Sequence, residues 1–165
     1  MQHPARHRGF SLVEAVIASA ICISVLIGVT GAFTLAMRSS LGNTQRMQAS
    51  FLEEEGLEAV RILRDNGWAA NIASLSVNTT YYLAYDSAAS TWKATTTAQL
   101  IDGTFTRSFS IYSVNRDGSQ NIVVSGGSNH ADTKKVTVTV TWRQREGSAT
   151  SSHSLSTYLT NIFNN

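Results

Sequence analysis

The chain has 165 residues, 42% hydrophobic and 15% charged, with a formal net charge of +2 and one cysteine. Soluble domains carry about 25% charged residues, so the deficit points to an apolar segment joined to an uncharged polar remainder. A single cysteine excludes an intrachain disulfide, scattered Lys and Arg residues give no basic face for nucleic acid, and the length holds one domain plus an extension.

Arg6-His7-Arg8-Gly9 leads into Phe10-Ser11-Leu12-Val13-Glu14-Ala15-Val16-Ile17, and the 23 residues 15–37 carry no charge. As a helix such a run reaches roughly 35 Å, enough for a hydrocarbon core of about 30 Å. Arg6 and Arg8 assign the N-terminal flank to the cytoplasm, and everything after Arg38 to the far side. Glu14 lies inside the apolar run. A charge within a membrane span costs on the order of 2.5–3.5 kcal/mol, which makes Glu14 a candidate functional residue.

Two other readings of this stretch fit less well. A secretory signal cut after Ala18-Ser19-Ala20 conflicts with residues 21–27, which continue the apolar run. Lipidation at Cys22 wants a small residue before it, and Ile21 is not small. Cys22 reads instead as a small buried apolar side chain. Gly28 and Gly31 each weaken the helix by about 1 kcal/mol relative to Ala.

The residues Gly9-Phe10-Ser11-Leu12-Val13-Glu14, behind a basic leader, resemble the processing and assembly signal of type IV pilins and pseudopilins. The resemblance implies a cytoplasmic leader of residues 1–9, cut between Gly9 and Phe10 by the prepilin peptidase of the bacterial inner membrane. It implies methylation of the new Phe10 amine and a role for Glu14 in assembly. The partners it implies are inner-membrane lipid, the peptidase, an assembly platform, and other pilin or pseudopilin subunits met through the N-terminal helix. Two departures stand out. Many pilins carry a C-terminal disulfide and a proline near Gly31, whereas the one proline here is Pro4 in the leader.

Beyond the membrane half of the helix, residues 10–37, an amphipathic half is expected over residues 38–67. Ala49, Leu52, Gly56, Ala59, Val60 and Leu63 share a stripe about 100° wide, with Glu54, Glu58, Arg61 and Asp65 opposite. Ser39-Ser40 and Gly42-Asn43 are weak points. The run Glu53-Glu54-Glu55 reads as a solvated face, and Leu57 and Ile62 fall off the stripe as contacts for neighbouring subunits or as exposed residues. Asn66-Gly67 offers a left-handed stop.

Past Trp68 the period changes to two, and residues 68–165 read as a β-rich extracytoplasmic head. Residues 81–85 and 91–95 form a hairpin around an 86–90 turn. Strands are expected over 104–114, 121–125, 135–143 and 152–159, with Asp102-Gly103, Asp117-Gly118 and Glu146-Gly147 turning between them. Val136, Val138, Val140 and Trp142 alternate with Thr137, Thr139 and Thr141, as in an antiparallel sheet with one dry face. Leu155 and Leu159 share a face. The expected architecture is α+β and pilin-like, a long N-terminal helix packed on an antiparallel sheet.

No catalytic constellation is expected in the head, and neither is a cofactor or metal. The glycines of residues 125–130 lack the Lys of a phosphate loop. Asn115, Asp117 and Asn121 read as a turn rather than a calcium loop. His130 and His153 have no paired spacing for zinc.

Residues 51–68 and the ending Leu155-Ser156-Thr157-Tyr158-Leu159-Thr160 are similar to minor pilins of the type IV pilus modification kind. The reading is a minor type IV pilin that enters or primes a filament. Its rivals are a type II secretion pseudopilin and a non-assembling bitopic membrane protein with a ligand-binding head. A DNA-uptake pilin is disfavoured by the scattered basic residues.

Overall fold

Leu12 to Asp65 form one helical element, α1, in a computed structural model that describes residues 11–143 and 149–164. The processing pair Gly9 and Phe10 and the turn Glu146-Gly147 lie outside the described residues. The chain divides into two compact units, Met1–Asn43 and Thr44–Asn165. Helical conformation is kept at Ser39, Ser40, Gly42 and Asn43, the expected weak points.

In the second unit α1 ends as its sequence specifies. Asn66 N–H donates to the Ile62 carbonyl at 3.0 Å and Gly67 N–H to that of Arg64 at 3.2 Å. Gly67 takes a φ of 134°, which side chains with a Cβ rarely adopt. The Asn66 amide then donates to Thr91 Oγ1 at 2.8 Å, tying the helix end to the sheet. A π-helical turn, Ala69–Ala73, follows where period-two structure was expected. It forms because Trp68 and Ile72, four residues apart, are both buried in the core.

The described strands are β1 Thr80–Asp86, β2 Thr91–Thr95, β3 Leu100–Ile101, β4 Phe105–Arg116, β5 Ile122–Val123, β6 Ser128–Arg143 and β7 Thr150–Thr160. They form an antiparallel sheet in the order β2-β1-β4-β6-β7, with β3 and β5 paired onto β4. β6 starts at Ser128, so Ser128, Asn129 and His130 extend it into the expected loop. Asn115 and Arg116 pair with Asn129 and Ser128 across a bulge after Ser113, which ends the regular register of β4.

The dry face carries the expected alternation. Val136, Val138, Val140 and Trp142 are buried, whereas Thr137 and Thr139 bond across to Ser156 and Ser154 on the outer face. The main core joins Leu57, Ala59, Val60 and Leu63 of α1 to Leu83, Phe109, Ile111, Val136, Val138 and Leu159 of the sheet. A smaller cluster joins Ala49 to Phe105, Val140 and Trp142. Each such aliphatic or Phe side chain contributes about 1.5–3 kcal/mol on full burial.

Two expectations for α1 are corrected here. Leu57 is buried at 7% exposure, and Glu53 at 1%, although the run of three glutamates read as solvated. The sheet is broader than a 100° stripe, so it covers positions on both flanks of that stripe. Gly56 lies where the two layers come closest. A Cβ there would fall 2.8 Å from Val138 Cγ1 and 2.9 Å from Arg107 Cδ.

Candidate functional site

In the first unit the described part of α1 presents apolar side chains outward along its length. Leu12 is 81% exposed, and Ile27, Phe33 and Leu35 are also largely exposed. This stretch is long and apolar enough to cross a membrane. Its hydroxyls are turned back onto the backbone. Ser19 and Ser24 donate to the carbonyls of Val16 and Ile21, and Thr30 and Thr34 to those of Leu26 and Thr30, at 2.7–2.9 Å. Those four are the Ser and Thr residues between Leu12 and Met37, so the outer surface carries little free hydrogen-bonding demand. Cys22, expected as buried, is exposed, because a lone helix has no interior.

Glu14 stands in the first turn of α1, exposed, where Ala15 N–H donates to the Ser11 carbonyl at 3.1 Å. The backbone N–H groups of a first turn point away from the helix with partial positive charge. A carboxylate gains about 0.3–1 kcal/mol there. The position therefore suits a carboxylate locally, while the surrounding surface is apolar.

The head holds two polar contacts between α1 and the sheet, each with one buried partner, that the sequence reading missed. Arg107 of β4 is 5% exposed. Its Nη1 donates to the Leu52 carbonyl at 3.2 Å and pairs with Glu55 at 2.8 Å, and its guanidinium lies 5.2 Å from the Trp92 ring centre. The signal was present: Phe105, Arg107, Phe109 and Ile111 alternate along β4, which puts Arg107 in the dry row. The second contact joins His153 Nδ1 of β7 to Glu53 Oε2 at 2.7 Å. Glu53 Oε1 is buried and has no hydrogen-bond partner among the described residues.

The outer turns carry two half-buried carboxylates with altered acidity. The Lys93 ammonium, then the backbone N–H groups of Ala89 and Ala88, hold the Asp86 carboxyl below its usual 3.8. Backbone N–H of Asn121, then its side-chain amide, do the same for Asp117. Asp117 Oδ1 accepts from the N–H groups of both Ser119 and Asn121 at 2.9 Å, so this carboxylate is used to close a turn. Among the described residues no group of three or more His, Cys, Asp or Glu side chains is gathered as a metal site.

No family model, curated protein or solved structure matches the chain.

Proposed function

We propose that this chain is a minor type IV pilin, a structural subunit stored in the bacterial inner membrane and assembled into, or priming, a pilus filament. The observation that carries the reading is the outward apolar surface of α1 in the first unit, with Glu14 in its first turn. Directly ahead of it stands Arg6-His7-Arg8-Gly9-Phe10. In this reading the peptidase cuts between Gly9 and Phe10, with the leader in the cytoplasm and the head outside the inner membrane. Glu14 is then the fifth residue of the processed chain, four positions from the new Phe10 amine. As subunits pack, an unpaired carboxylate among apolar helices is costly, and the amine of a neighbouring subunit is a partner of opposite charge.

Replacing Glu14 tests this. Glu14→Ala is expected to leave membrane insertion and the Gly9–Phe10 cut intact, and to reduce incorporation into sheared filaments at matched membrane levels. Wild-type incorporation would overturn the pairing. N-terminal sequencing of membrane-extracted protein is expected to start at Phe10, and a start after Ala20 or at a lipidated Cys22 would overturn the pilin reading. A protein that stays membrane-bound under shear and enters a secretion pseudopilus instead would keep the processing and lose the surface filament.

A further inference from the structure

The geometry points to an oxyanion-binding cleft in the head, between α1 and the C-terminal end of the sheet. Arg46, Met47 and Ser50 of α1 face Trp142 of β6 and Ser152 and His153 of β7 across a cleft of about 570 Å³. Among the described residues its lining includes two basic side chains, Arg46 and His153, and no carboxylate. Arg46 is exposed and makes no ion pair among the described residues. Its guanidinium presents a planar fork of N–H donors, the geometry that suits carboxylate and phosphate groups. Trp142 and Met47 give the cleft an apolar wall, so the matching ligand carries its oxyanion on a partly apolar body.

Glu53 is the observation that makes this more than a surface groove. It lies between Leu52 and Gly56 on the packed side of α1, where an apolar side chain would stabilise the core. Burying a carboxylate against a histidine is a poor route to stability, because desolvation offsets the attraction. One carboxylate oxygen is left without a hydrogen-bond partner among the described residues. What the arrangement does achieve is to fix the ring of His153, whose side chain is 58% exposed. With Nδ1–H donated to Glu53, the ring orientation is set, and in the imidazolium form Nε2 carries the second N–H, the donor that an oxyanion requires. Glu53 is thus a positioning residue, and His153 and Arg46 are the groups that touch the oxyanion. Nothing in this depends on whether the chain enters a filament.

The test uses the full chain in detergent micelles with labelled histidine, titrated with inorganic phosphate and, separately, with acetate. Saturable shifts of the His153 ring resonances, with those of His130 unmoved, are expected for at least one probe. Response to phosphate alone assigns a phosphoryl-bearing ligand, and response to acetate alone assigns a carboxylate-bearing one. Arg46→Gln is expected to weaken binding by about tenfold, the loss of one charged hydrogen bond. Glu53→Leu is expected to melt at the same or a higher temperature and still lose about tenfold in binding, whereas Glu53→Gln, which still accepts from Nδ1, keeps it. If Glu53→Leu does not fold, the Arg46→Gln and Glu53→Gln arms decide alone. No saturable shift with either probe, or wild-type affinity in Arg46→Gln, overturns the site. Wild-type affinity in a folded Glu53→Leu overturns the positioning role.

Discussion

The two units handle the same ingredients in opposite ways. Around α1 in the first unit, apolar side chains face outward and hydroxyls fold back onto carbonyls three or four residues earlier. In the head, apolar side chains face inward, and the hydroxyls of Thr137 and Thr139 stand outside, paired across strands with those of Ser156 and Ser154. Val and Thr serve both arrangements. What differs is where a hydroxyl finds its partner. A local partner suits a surface that meets no water, whereas a cross-strand partner leaves the remaining lone pairs open to solvent.

The sharpest way to break this contrast is a pair of Phe deletions. Phe109 is 1% exposed in the main core, and Phe33 is 65% exposed. Phe109→Ala is expected to destabilise the head by about 3–5 kcal/mol in denaturant titration of the full chain in detergent. Phe33→Ala is expected to leave that transition unmoved. Equal losses would mean that the two regions share one core.

Glycines give the next largest difference. Gly56→Ala gains about 1 kcal/mol of helix propensity but forces a Cβ against Val138 and Arg107. Val138 is fully buried and has no room to give way, so a net loss of about 1–3 kcal/mol in head stability is expected. Gly28 has nothing within 4 Å, and Gly28→Ala is expected to leave the head's transition unchanged. A stabilised Gly56→Ala would show that the layers separate easily at that point.

The smallest effect concerns acid. Asp86 and Asp117 have lowered pKa values in the folded head, so their contribution is present above the usual 3.8 and is lost as pH falls through their folded values. Asp86→Asn combined with Asp117→Asn is therefore expected to flatten the decline in head stability below about pH 4. Unfolding midpoints at matched pH measure it, and an unchanged slope would contradict the hydrogen-bond origin of the shifts. Nothing comparable is expected of the first unit.

Much of this was legible from residue order, for reasons that differ by element. The strand containing Val136, Val138, Val140 and Trp142 was readable because each side chain has one immediate choice, in or out. The helix stop at Asn66-Gly67 and the turn at Asp117 were readable because their hydrogen bonds close within four residues. Leu57 was misjudged because the width of a buried helix face depends on the layer laid against it. Glu53 was misjudged because its partner, His153, is 100 residues away. A charge next to two other charges looks solvated until that partner is placed. Glu14 stood out for the opposite reason, since a lone carboxylate in an apolar run needs no distant residue to be noticed.

The order of manufacture adds a consequence. The packed face of α1, with Val60 and Leu63, leaves the ribosome before any strand that covers it. Val138 and Leu159, which complete that cover, come from the last third of the chain. At about 5–20 residues per second, the wait between Leu63 and Val138 is on the order of 4–15 s. Throughout that interval the nascent chain carries an uncovered sticky face. A message truncated before β6 would yield a polypeptide that never hides it, and so a substrate for proteolysis.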